Sequence, residues 1–326
     1  MNDYLRWIPG RIYWRDAQPM MDWVHLGARR LTDPFFAQTL NACVGRPADL
    51  VYRRQTPLAE LEDIAGVRPG LRPAGFIFHL SRCGSTLVAQ RLAASPQNVV
   101  LSEAGPIDGV LRSSLRDPGI SDEQRVRWLR ALVRVFGWQR APAEKQVFIK
   151  FDCWHARFLP LIQRAFPEVP WVFLYREPLE VLASARKQPG GHMIPGVLEP
   201  GIFDWSAADA AGMARPEYAA RVLAKICETA LDEARAGRGK LVNYRQLPDG
   251  VWPALLDYWQ VAFSAADSAK MREAALRDAK NPVMPFAPDS QAKRDSAPAE
   301  LRALSQRWLE EVYQRLESQR LAGGFA

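Results

Sequence analysis

Several short stretches of the chain hold residue types that could bind or move an anionic group. Ser81-Arg-Cys-Gly-Ser-Thr86 is a polar turn between an apolar run, Gly75-Phe-Ile-Phe-His-Leu80, and a segment with helical spacing, Thr86 to Ala94. A turn of this kind aims backbone N–H groups and a helix dipole at one point, which suits negative charge. Gly84 lets the backbone come close to a ligand, Ser85 and Thr86 add hydroxyls, Cys83 lies within the turn, and Arg82 brings a formal charge. Lys150 ends the apolar run Val147-Phe-Ile-Lys. A buried cation there is costly without an anionic partner, whether a ligand or Asp152. Arg176 follows the apolar run Trp171–Tyr175, with Ser184 two turns into the next helical stretch. The two can converge on one anion; the alternative is an ion pair of Arg176 with Glu177 or Glu180. Glu103 follows Val99-Val-Leu-Ser102 and could take a proton from a hydroxyl, or could simply be an acid at a helix N-terminus.

The turn at 81–86 is not a nucleoside-triphosphate loop of the GxxxxGK[ST] type. The first Gly of that frame falls on His79 and its Lys on Ser85. No apolar strand ends in the Asp that would hold Mg²⁺. A sulfuryl group in transfer carries about one negative charge where a phosphoryl group carries about two. Arg, Lys and helix N–H groups can neutralise it by preorganised electrostatics.

The elements that must position these residues alternate. Strands are expected at 75–80, 99–102, 146–151, 171–175 and 240–244, with helical stretches at 106–116, 122–137, 155–166, from Pro178, and at 216–237. Helices near 250–262 and 267–280, a Pro-rich loop from Pro282 to Pro298 and a last helix from Ala299 complete the chain. Such alternation predicts a three-layer α/β, P-loop-like fold with a central, mainly parallel five-stranded sheet and helical additions. Residues 1–70 read as an irregular, aromatic-rich extension with short helical patterns, a candidate for the acceptor side. The Gly- and Pro-rich stretch 188–215 reads as a lid-like insertion in the domain spanning 71–326. Trp7, Trp14, Trp23, Phe203 and Trp205 are candidates to wall an acceptor site, although aromatic clusters more often pack a core.

At 326 residues, 48% hydrophobic and 24% charged, the chain has the composition of a globular protein. No apolar stretch approaches membrane-spanning length, and Met1–Trp7 does not look like a signal peptide. Cys43, Cys83, Cys153 and Cys227 stand far apart, against a zinc knuckle or disulfide scaffold and in favour of a reducing compartment. The net charge of +7 comes with interspersed signs and no basic arm, so nucleic acid is not an expected partner. A cytoplasmic monomer or homodimer is expected.

The three blocks at 82–86, at Lys150 and at 176–184 stand in an order that resembles the sulfotransferase superfamily, which moves a sulfuryl group from 3′-phosphoadenosine-5′-phosphosulfate (PAPS). Arg82-Cys-Gly-Ser-Thr86 is similar to that family's 5′-phosphosulfate loop. Lys150, ahead of a helix and Phe166-Pro167, is similar to its lysine-bearing strand. Arg176-Glu-Pro with Ser184 is similar to its 3′-phosphate motif. The resemblance covers roughly residues 75–245. It implies PAPS as donor, 3′-phosphoadenosine 5′-phosphate (PAP) as product, and no metal. It implies Lys150 at the bridging oxygen, Glu103 as base in the manner of tyrosylprotein and several bacterial sulfotransferases, and Tyr244 near the adenine. Lys293 and Arg294 would close over the 3′-phosphate. The cytosolic branch of the family uses a His soon after its Lys; His155 stands at a different spacing but remains the other candidate base. His25, His79 and His192 read as structural. The acceptor, a hydroxyl or amine of a small molecule, glycan or peptide, is open. The competing functions are a P-loop small-molecule kinase and a PAP- or PAPS-binding protein without activity.

Overall fold

The computed structural model of the chain describes residues 4–45, 54–280, 290–323 and 325. The leader is not irregular. Strands β1 (Trp7–Arg15), β2 (Gln18–His25) and β3 (Arg54–Pro57) form an antiparallel sheet in that order. β1 and β2 meet through a two-residue turn, Asp16–Ala17, with φ of 48° and 62°, so that Arg15 faces Gln18. Two successive left-handed residues give the twist a tight hairpin needs. The second position usually carries Gly, and Ala17 there hides the turn from a reading of residue types.

The five expected strands are all present: β4 (Pro73–His79), β5 (Asn98–Ser102), β6 (Gln146–Lys150), β7 (Trp171–Tyr175) and β8 (Lys240–Asn243). They form one sheet in the order β5-β6-β4-β7-β8, every pair parallel. β5 and β7 are buried along their whole length, as strands covered by helices on both faces must be. From β4 the chain goes to the β5 edge, returns with β6 beside β4, and then crosses to β7 on the other side. A parallel sheet with such a switch leaves a crevice outside its carboxyl ends. Residues 81–86, 103, 150, 176 and 244 all lie at or just beyond those ends.

The main helices are Ser85–Ala93, Gly105–Leu111, Asp122–Phe136, Pro178–Lys187 and Arg215–Arg235. Ser121 caps the third and the Glu177 carboxylate the fourth, each accepting from backbone N–H groups of the first turn. Helix Gly105–Leu111 packs on β1 so closely that a Cβ on Gly109 would stand 2.8 Å from the Ile12 Cβ. Ile8, Met21 and Trp23 of the antiparallel sheet therefore join the same hydrophobic core as Phe76, Ile149 and Val172. Residues 188–215 hold short helices at Gly191–Met193, Pro200–Phe203 and Ala207–Ala211. Arg157 Nε donates to the Ile202 carbonyl at 3.0 Å, and Arg112 pairs with Glu199. In the stretch read as a Pro-rich loop, Ser290–Asp295 is helical, and 281–289 lie outside the described residues. The last helix is two, Ala299–Trp308 and Glu310–Gly323, and the break between them seats Leu309 in the core. No helix among the described residues is long and apolar enough to cross a membrane.

Candidate active site

Beyond β4 the chain turns through Ser81, Arg82 and Gly84, at φ of 83°, 52° and 84°, into the helix that starts at Ser85. Two non-glycine residues in the left-handed region are uncommon and strained, and surrounding contacts must hold them. Ser81 N–H donates to His79 Nδ1 at 3.1 Å, which assigns the ring proton to Nε2, 3.0 Å from the Phe151 carbonyl. Arg82 Nη2 donates to the Gln188 carbonyl at 2.7 Å. The Cys83 thiol donates to the Leu174 carbonyl at 3.1 Å, and burial pushes its pKa up to about 11. Cys83 thus anchors the turn to β7 with its side chain and can offer a ligand only its backbone. Gly84 packs against Leu247 and Tyr244: a Cβ there would fall 2.6 Å from Leu247 Cδ1 and 3.1 Å from Tyr244 Cδ2. Among the described residues no side chain caps the helix that follows, and its first turn faces the crevice.

That crevice is a cleft of about 660 Å³. Residues 81–87 form one wall, and Arg176, Ser184, Tyr244 and Lys293 line the same space. The Arg176 guanidinium lies 4.1 Å over the Tyr244 ring, and its Nε donates to Glu180 Oε2 at 2.5 Å. The expected alternative, an ion pair with Glu180, is therefore realised as a buried pair within a residue that also lines the cleft. The other Glu180 oxygen takes Arg294, so Arg294 stands behind the wall rather than in it. The structure brings together every residue expected to touch the donor except Arg294 and Lys150.

Lys150 is fully buried and its ammonium sits on Glu103, with the Phe35 ring 5.1 Å away. The expected alternative partner was Asp152, but β5 and β6 pair Ser102 with Lys150, and the residue just after β5 is Glu103. Glu103 has a φ of 57°, and its N–H donates to the Lys150 carbonyl at 2.8 Å. Burial would raise its carboxyl, but Lys150, with His79 Nε2 at 3.5 Å, outweighs that and holds it well below the usual carboxylate range. A carboxylate so committed is a weak proton acceptor. His155 is buried outside the cleft: its Nδ1 accepts from Asp152 N–H at 3.2 Å and its Nε2 lies 3.0 Å from Asp108 Oδ1.

The sequence reading passed over Asp152 as anything but a partner for Lys150. It lines the cleft beside Glu103, and burial pushes its carboxyl up to about 7. Its position just past the strand-end Lys150 was the available signal. The expected aromatic walls are elsewhere. Trp7 packs on His25 and Arg54, Trp14 carries Arg116, Trp23 donates to Thr56 Oγ1 at 3.0 Å, and Trp205 packs on Tyr218. Phe203 is buried in the core. Among the described residues the aromatic lining is instead Phe35, His79, Trp154, His192 and Tyr244. The same residues include no group of three or more His, Cys, Asp or Glu side chains able to hold a metal ion.

No protein-family model and no curated protein matches the chain. Among solved structures it is similar to the sulfotransferase domain from the curacin biosynthetic pathway, at 15% identity and a TM-score of 0.46, over 79% of this chain and 100% of that one. A sulfotransferase from Mycobacterium avium is similar at 12% identity and a TM-score of 0.44, over 78% and 79%. The sulfotransferase domain of a Synechococcus olefin synthase is similar at 17% identity and a TM-score of 0.42, over 80% and 98%.

Proposed function

We infer that the chain is a sulfotransferase that takes PAPS as donor and passes its sulfuryl group to a hydroxyl or amine, releasing PAP. The observation that carries this reading is that two separate groups of residues suited to anions line one cleft. One is the strained loop at 81–86 with its open helix N-terminus; the other is Arg176 with Ser184 and Lys293. A nucleotide with phosphate groups at both ends of its ribose is the ligand such a pair would hold. The volume of about 660 Å³ leaves room for an acceptor as well.

In this reading Ser85, Thr86 and the first-turn N–H groups hold the 5′-phosphosulfate, Arg82 adds charge, and Gly84 lets the backbone approach. Arg176 and Ser184 take the 3′-phosphate, with Lys293 at the rim and Tyr244 beside the adenine. Arg294 contributes through Glu180, which orients Arg176. Glu103 and Lys150 act as a pair: the carboxylate keeps a buried ammonium charged beneath the place where the sulfur–oxygen bond breaks. Titration calorimetry with PAP and with ADP–Mg²⁺ tests the reading. Binding of PAP in preference supports it; preference for ADP–Mg²⁺ replaces it with the kinase. PAP binding with no transfer from radiolabelled PAPS to a panel of phenols, sugars and amines would leave a binding protein.

A further inference from the structure

The reaction inferred above needs a group to accept the acceptor's proton, and three carboxylates line the cleft, Glu103, Asp152 and Asp278. Asp278 is half-buried, and its Oδ1 accepts from Lys280 N–H at 2.9 Å. Glu103 is held by Lys150 and lies 3.5 Å from His79 Nε2. Asp152 lies on the same wall, and His155 Nε2 stands 3.7 Å from its Oδ2. That ring is fixed from both sides, by Asp152 N–H at Nδ1 and by Asp108 Oδ1 at 3.0 Å from Nε2. Asp108 is in turn held by Trp154 Nε1 at 2.8 Å and by Arg112 at 2.7 Å. Resting on the sulfotransferase reading, we propose that Asp152 is the catalytic base, and that His155 and Asp108 are positioning residues which set its orientation and electrostatic surroundings.

The step balances without a further reactant. As the acceptor oxygen forms its bond to sulfur, the bond from sulfur to the 5′-phosphate oxygen breaks and its electron pair leaves with PAP. The acceptor O–H proton passes to an Asp152 oxygen and is later lost to water. The groups facing Asp152 come from several elements. Burial is the largest influence on it and favours the neutral form, and Glu103 after β5 and Asp108 on helix Gly105–Leu111 act the same way. His155 and Lys150 oppose them. The result, about 7, is where a general base works best near neutral pH. Glu103, held far below that, would be ionised but too weakly basic to draw a proton.

The test combines a titration with turnover. The full chain is prepared with carboxyl-labelled aspartate and followed by carbon NMR, the Asp152 signal being the one lost in both Asp152→Asn and Asp152→Glu. The proposal expects that signal to titrate near pH 7, and kcat/KM with radiolabelled PAPS and the acceptor panel to rise with pH through the same midpoint. Asp152→Asn should bind PAP within about 3-fold of the wild type and lose about 100-fold or more in turnover. Asp108→Asn removes an anion that raises Asp152, so its pH–rate limb should move to lower pH; a merely structural role would lower the rate without moving the limb. An Asp152 signal titrating in the ordinary carboxylate range, or an Asp152→Asn enzyme with near wild-type turnover, overturns the proposal while the sulfotransferase reading stands. A wild type that does not bind PAP overturns both.

Discussion

At the scale of single residues, two cations of the site, Lys150 and Arg176, are held by carboxylates rather than waiting open. Lys150 is fully buried on Glu103, whereas Glu103 keeps partial contact with the cleft, 24% of its side chain exposed. Removing one member of a buried pair costs far more than the pair itself contributes, because the remaining charge is left without compensation. Glu103→Gln is therefore expected to lower stability by about 3–5 kcal/mol, and adding Lys150→Met should restore most of it. Urea denaturation of the single and double variants checks this; a Glu103→Gln chain as stable as the wild type would mean that Lys150 finds another partner. Arg176 differs, since its partner Glu180 also holds Arg294 and keeps a counter-charge when Arg176 is lost. Arg176→Ala should thus leave the fold in place and weaken PAP by about 1.5–3 kcal/mol, the worth of a hydrogen bond to a charged group. Adenosine 5′-phosphate should be much less affected, and calorimetry showing equal loss for both ligands would remove Arg176 from the 3′-phosphate.

At the scale of elements, the loop between β4 and helix Ser85–Ala93 works only if Gly84 lacks a side chain. Gly84 has a φ of 84° and abuts Leu247 and the Tyr244 ring, which itself lies under Arg176. In Gly84→Ala the left-handed conformation alone costs about 1–2 kcal/mol, and the new methyl pushes Tyr244 away from the guanidinium. Lower stability in urea together with weaker PAP binding is the expected outcome; loss of stability with unchanged binding would show that Tyr244 does not couple the loop to Arg176. The elements of the parallel sheet were legible in the sequence because strands buried on both faces read as unbroken apolar runs, Trp171–Tyr175 most plainly. The β1–β2 hairpin was not, because its turn is Asp16–Ala17, without the glycine that marks such turns. The loop and the strand-end cations were legible from residue type alone. The Glu103–Lys150 pair was not, since it depends on β5 lying beside β6 although 43 residues separate the end of one from the start of the other. Asp152 was hidden in part for the same reason: two of the carboxylates that act on it, Glu103 and Asp108, come from a segment more than 40 residues away in the chain.

At the scale of the whole molecule, Glu103 and Asp152 act on stability in opposite directions. Glu103 is held below its unfolded value, so it contributes stability that is present above the ordinary carboxylate range and lost only in strong acid. Asp152 is raised from an ordinary 3.8 to about 7, so between those values the folded chain binds more protons than the unfolded one. Stability then falls as pH rises through that window, and above about pH 7 the full cost of ionising a buried carboxyl is carried. Asp152→Asn has no charge to bury and escapes this cost. The net charge of +7 also makes the background vary with pH, but both chains share that background, so the difference between them isolates Asp152. Paired urea denaturations without ligand from pH 4 to 8 are expected to show the variant gaining on the wild type up to about pH 7 and the gap levelling above it. A gap already level by pH 5 would place Asp152 in the ordinary range. A site that holds a proton acceptor ready near neutrality thus costs the fold stability over the same pH range in which that acceptor is ionised, and replacing it should trade activity for stability.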